Sequence, residues 1–114
     1  MVDHIGNKLA TAAEGIVSLS LSEAEEAAYP YAVYTLAPEL HRTKDGVYKV
    51  TADVTATVYA QDYAAARDIA ERFGVAVERE FSAPGYSERL SSYEERCEDG
   101  IWALALDFKM TEFV

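Results

Sequence analysis

The chain has 114 residues, half of them hydrophobic, enough for one compact domain that hides roughly 60 to 70% of its unfolded surface. Twenty acidic residues against ten basic give a formal charge of −10, with no cationic excess to displace counterions, which opposes specific nucleic-acid binding and attachment to anionic membranes. No segment approaches the ~20 apolar residues of a membrane span, the N-terminus lacks the apolar run of a signal peptide, and the lone Cys97 forbids an intrachain disulfide, so a soluble, cytoplasmically made protein is expected.

In chain order, Ile5, Leu9 and Ala12 or Ala13 recur at helical spacing behind Asp3, a candidate N-cap, and ahead of Gly15, a stop signal. They predict a short helix over about 3–14. Ile16, Ser18 and Ser20 alternate with Val17, Leu19 and Leu21 as in a short strand, and an acidic connector then runs to Pro30. A strand starts at Tyr31, and Pro38 within it has no N–H for a central ladder, so it marks an edge or a bend. The polar stretch 41–46 ends in Asp45-Gly46, a hairpin turn signal, and leads into strict alternation from Tyr48 to Ala60. Residues 31–60 therefore read as one long antiparallel hairpin with a polar tip.

Asp62 is placed to cap a second helix, with Tyr63, Ala66, Ile69, Ala70, Phe73 and Val77 on one face and Arg67, Asp68, Glu71, Arg72 and Glu78 on the other. Small Ala52 and Ala56 on the preceding strand let this helix lie close to the sheet. Gly74 costs about 1 kcal/mol relative to alanine and predicts a bend or an early end there. Past a loop carrying Pro84 and Gly85, a second hairpin turns at Glu98-Asp99-Gly100. In its last strand Trp102, Leu104, Leu106, Phe108 and Met110 share a core face, while Ile101, Ala103 and Ala105 make the opposite face apolar too, which predicts a central strand partly covered on both sides. The order α-β-β-β-α-β-β is α+β: a mostly antiparallel sheet of four to five strands with two helices on one face, in a single domain over 1–114.

Chemistry is hard to place on this frame. His4 and His41 have no second ligand at metal spacing and read as solvated. Glu94, Glu95, Glu98 and Asp99 cluster in sequence, but Glu94 and Glu95 point to opposite faces of a strand beside a turn. The serines at 18, 20, 22, 91 and 92 have no nucleophile elbow around them. No catalytic residue, metal site or cofactor is expected. Tyr29, Tyr31, Tyr34, Tyr86 and Tyr93 fall on strand ends and loops, where amphipathic rings either contact other chains or roof a small core; both readings stand. The odd positions of the central strand, Lys49, Thr51, Asp53, Thr55 and Thr57, form a polar second face that carries no reactive group.

Four features in order, Pro30-Tyr31, the alternating Val50 to Ala60, the helix from Tyr63 to Phe73 and Leu106-Asp107-Phe108, resemble the tail-completion, or tail terminator, family of long-tailed phages and prophages. The resemblance runs from about residue 29 onward, and the acidic stretch before Pro30 departs from it. It implies a small α+β subunit that forms a ring, typically of six, capping the tail tube and joining it to the head. Expected partners are then copies of the same chain, the tail tube protein and head-tail connector proteins, in the host cytoplasm during assembly and in the virion tail. Under this reading Tyr31, Leu40, His41, Arg42, Lys49, Thr51, Asp53, Thr55, Thr57, Tyr86 and Tyr93 are candidates for a subunit interface or channel face, past which DNA moves without being gripped. Threonine also favours strands on its own account, so a face that simply meets water gives the same pattern. The alternatives are a dimeric α+β ligand-binding or enzymatic sandwich, with polar groups converging in an apolar cavity, or another phage neck or adaptor protein.

Overall fold

The computed structural model describes residues 2–21, 29–82 and 86–113, with the side chains at 2–4, 18, 20 and 21 outside that description. The predicted connector at 22–28 and the Pro84-Gly85 loop lie outside the described residues, as do the side chains of Asp3 and His4. The elements follow the predicted order: α1 (Val2–Ala13), β1 (Ser18–Leu21), β2 (Tyr31–Thr43), β3 (Gly46–Ala60), α2 (Tyr63–Glu80), β4 (Tyr86–Glu98) and β5 (Ile101–Phe113). The helix expected from residue 3 thus includes Asp3 in its first turn.

The five strands form one sheet in the order β1-β2-β3-β5-β4, antiparallel except for β1 beside β2. β3 and β5 are therefore the central strands. β1 pairs with only Tyr31 to Tyr34 of β2, which leaves the rest of β2 as an edge. Pro38 sits on that free stretch, opposite Ala52 with no break in register, where its missing N–H costs no ladder bond.

Both helices pack on the face carrying the even residues of β3. Val50, Ala52, Val54, Ala56, Val58 and Ala60 are all buried there. From α1 come Ile5, Leu9, Ala12 and Ala13, and from α2 come Ala66, Ile69, Ala70, Phe73, Ala76 and Val77. Each such Val, Leu or Phe contributes about 1.5–3 kcal/mol when fully buried. Facing alanines on β3 and α2 keep the layers close. Gly6 serves the same end on α1, since a Cβ there would lie 3.1 Å from the Tyr34 hydroxyl oxygen.

The local signals are read as expected at the caps and turns. Asp62, extended at φ −118° and ψ 128°, accepts a hydrogen bond from the Ala65 N–H at 3.0 Å. Asp99 and Gly100 form a two-residue hairpin loop with φ of 52° and 78°, the left-handed pair that matches strand twist. Gly74 does not end α2, which continues to Glu80; a Cβ there would make an ordinary 3.8 Å contact with Leu106.

Two core expectations need correction. Leu104, Leu106, Phe108 and Met110 are buried, but Trp102 is only half-buried, at the rim, with its ring edge-to-face on Tyr63 at 4.7 Å. The second face of β5 is not covered: Ile101, Ala103 and Ala105 are half-buried among their sheet neighbours, and among the described residues no element packs over them.

Candidate functional site

The absence of a second layer leaves the outer sheet face open, and register places the predicted face residues on it. Tyr31, His41, Lys49, Thr51, Asp53, Thr55 and Thr57 all point there, joined by Asp107 and Lys109 of β5. At one end Tyr31 stacks on Tyr59 at 5.1 Å and meets Tyr29 at 5.3 Å. In the middle Asp107 accepts hydrogen bonds from Thr55 Oγ1 at 2.5 Å and Ser92 Oγ at 2.6 Å. Those two donors, opposed by partial burial, hold its carboxyl below the usual carboxylate range. Towards the other end, His41 Nε2 lies 2.9 Å from Thr51 Oγ1.

This face is not strongly acidic. Register puts Glu39, Asp53, Glu94, Glu98 and Asp107 on it, and Lys49, Arg89, Arg96 and Lys109 with them, five acidic residues against four basic. Most of the −10 of the chain therefore belongs to other residues, among them Glu23, Glu25 and Glu26 of the connector outside the described residues.

A second feature is the end of the β2–β3 hairpin. Among the described residues the last β5 partner of β3 is Phe113, opposite Lys49, and the stretch of hairpin beyond that pair, about 10 Å long, has no third strand beside it. A register shift between His41 and Arg42 leaves Tyr48 as the extra residue of β3, while β2 keeps its alternation and sets Arg42 on the same side as Leu40. Leu40, on the helix side, and Tyr48, at the bulge, are each 45% exposed, and the Tyr48 ring lies 6.3 Å from the His41 ring and 5.7 Å from Lys49 Nζ. Between residues 39 and 49 three basic side chains, Arg42, Lys44 and Lys49, outnumber the two acidic ones, Glu39 and Asp45.

The third feature lies at the opposite edge. α2 covers β3 and β5 but leaves the helix side of β4 bare, which opens a groove of about 660 Å³ between α2 and β4. Its wall is apolar, from Gly74, Val75, Leu90, Tyr93, Leu106 and Phe108, and Glu71, Glu78 and Glu88 stand around it with Arg67. Val75 is 67% exposed, Leu90 49% and Tyr93 40%. Leu90 and Tyr93 can both face the groove because a register shift between Leu90 and Ser92 moves β4 from even to odd residues on this side. At the groove's head the Tyr93 and Tyr63 hydroxyls donate to Glu95 Oε2 at 2.7 and 2.8 Å, and Arg67 stands 3.8 Å from it. The two hydroxyls lower the Glu95 carboxyl below its usual range. Glu88 is pushed the other way, first by burial and then by the charge on Glu78, and among the described residues neither of these two glutamates has an ion-pair partner.

Of the candidate residues, the structure brings the odd ones of β2 and β3 together on the open face and sets Leu40 and Arg42 at the projecting end. Tyr93 lies in the groove. Tyr86 is apart from all three: its ring meets Phe81 at 5.9 Å and lies under Lys8 Nζ at 4.8 Å, tying α1, the end of α2 and β4 within the subunit. Lys8 also donates to the Glu80 carbonyl at 2.9 Å. Val75, Leu90, Tyr48 and Asp107 were not singled out from sequence. Val75 carried a signal, as one apolar residue inside the charged face of α2. Among the described residues no three His, Cys, Asp or Glu side chains converge on a metal-sized site, and no helix is long and apolar enough to cross a membrane.

The class that these elements define is an α+β fold of two helices on one face of a mostly antiparallel sheet. A chain from the virion of a native gene transfer agent particle is similar in fold, with a TM-score of 0.62 at 12% identity, over 96% of this chain and 92% of that one. A crystal structure from Akkermansia muciniphila aligns with 99% of this chain and 49% of that one at 10% identity, but its TM-score of 0.39 does not establish a common fold. No protein-family model and no curated protein matches the sequence.

Proposed function

We propose that this chain is a structural subunit of a phage-like particle, a tail-completion protein whose copies form a ring, of six in the simplest case, that caps the tail tube and joins it to the head. The observation that carries this reading is the nearly end-to-end likeness in fold to a virion chain of a gene transfer agent, 96% of one chain on 92% of the other. The family resemblance from Tyr31 to Phe108 points the same way. Its partners are copies of itself, the tube protein and connector proteins, and its place is the assembling particle and then the virion. The reading assigns it no catalytic step and no cofactor.

The open sheet face suits such a subunit. Val33, Ala37, Ala103 and Ala105 lie on it among the threonines, and its charges nearly balance. Set against a neighbour it needs no large desolvation of one sign of charge; set along a channel it offers DNA no cationic grip. A ligand-binding sandwich is less well served, because the groove is an open trough and its charged groups are glutamates at the margin rather than polar atoms converging inside.

Charge predicts how assembly depends on salt. Six subunits at −10 each bring a formal −60 together. At 0.01 M ionic strength, with a Debye length of about 30 Å, their repulsion acts across whole subunits; near 0.15 M it falls to about 8 Å. Light scattering across a salt series should show small species at low salt and a ring-sized species near 0.15 M. A chain that stays at one or two copies at every salt concentration contradicts the ring, and a ring most stable in the least salt contradicts this role for the acidic surface.

A further inference from the structure

Among the described residues, six of the seven large hydrophobic side chains left exposed fall into two groups, and the groups lie on different parts of the molecule. Leu40, Tyr48 and Phe113 surround the root of the projecting hairpin, and Val75, Leu90 and Tyr93 line the α2–β4 groove. The two sites also differ in charge. The hairpin end is the basic exception in an acidic chain, with Arg42, Lys44 and Lys49 against Glu39 and Asp45. The groove carries Glu71, Glu78 and Glu88 against Arg67 alone.

We propose that the groove between α2 and β4 receives the β2–β3 hairpin end of a second copy of this chain, with Leu40 seated on Val75, Leu90 and Tyr93 and with Arg42, on the same side of β2, and Lys44 of the turn meeting Glu78 and Glu88. This deepens the ring reading and takes from it the choice of a second copy as occupant. The hairpin is on the β1–β2 side of the sheet and the groove on the β4 edge, so one molecule cannot join its own pair. Two different patches that fit each other make a heterologous contact, which repeats from copy to copy and closes into a ring when the rotation allows. The groove, at about 660 Å³, is in the range that encloses a drug-sized group, so a large side chain fits it. A cation arriving at Glu88 also relieves the strain of two unpaired carboxylates: burial and Glu78 already press that group towards protonation. Pairs at contact distance inside an apolar seat are screened less than subunit-wide repulsion, so the salt that permits assembly does not remove them.

The test uses two variants of the full chain. Leu40→Asp disables the hairpin end, and Leu90→Asp disables the groove; the two positions are 45% and 49% exposed, so the fold should persist, as circular dichroism checks. Each variant alone should remain a monomer under conditions in which the wild type assembles. Mixed in equal amounts they should form a 1:1 heterodimer and nothing larger, because the mixture retains one intact hairpin and one intact groove in complementary subunits. Folded variants that still assemble into rings would overturn this contact while leaving the ring reading in place. A wild type that never exceeds a monomer, with or without variants, would overturn both. Folded variants that are monomeric but do not pair on mixing would show a contact of another kind, and a small molecule retained by the wild type and lost only from Leu90→Asp would make the groove a ligand site.

Discussion

Replacing Phe73 with alanine should destabilise the protein by about 3–5 kcal/mol, the largest single loss expected in this fold. Phe73 is fully buried on α2, with its ring edge-to-face on Phe108 of β5 at 6.5 Å, so it joins the helix layer to a central strand. Removing it takes away transfer free energy and leaves a cavity that the alanine-lined interface around it is too short to fill. Trp102→Ala should cost less despite the larger ring, because Trp102 is half-buried at the rim and water can enter the space it vacates. Urea denaturation of both variants checks this; a greater loss for Trp102 would mean that the core is centred on the end of the sheet near Tyr63.

The reverse error should be the next most costly. Ala56 is fully buried at the middle of β3 beneath α2. Enlarging it in Ala56→Leu forces the helix off the sheet or drives side chains from their rotamers, at about 1–3 kcal/mol. Thr57→Ala, next in the chain but on the open face, should stay within about 0.5 kcal/mol in the monomer. Together the two report the strand's orientation, since equal losses would mean that the open face is covered.

The long alternation from Tyr48 to Ala60 made β3 legible because one face is uniformly buried, and a period of two then has a single solution. The helices were legible for the same reason with a different period, and Asp62, Asp99 and Gly100 announced a cap and a turn whose geometry few other residues suit. β4 was not legible. Its helix-side residues run Tyr86, Glu88, Leu90 and then Tyr93, Glu95, Cys97, a change of phase at a bulge that no composition signal marks. With the phase hidden, the apolar groove was hidden too. It arises from two helices being too few to cover five strands, which is a property of the arrangement and not of any segment. The balance of charge on the open face was obscured in a similar way. A chain at −10 suggests acid everywhere, and only register shows that Arg89, Arg96 and Lys109 answer Asp53, Glu94 and Asp107 across one surface. Tyr86 was open to two readings, because a tyrosine at a strand start has the same appearance whether it meets a partner or roofs a core, and the structure sets its ring beside Phe81 under Lys8.

The central claim is that copies of this chain close on themselves, and native mass spectrometry at the ionic strength where scattering shows assembly tests it most directly. A single closed species at a fixed small multiple of the 12.6 kDa chain is the predicted result, about 76 kDa for six copies. A ladder of ever longer oligomers would mean that the contact repeats without closing, and a monomer or dimer alone would contradict the account.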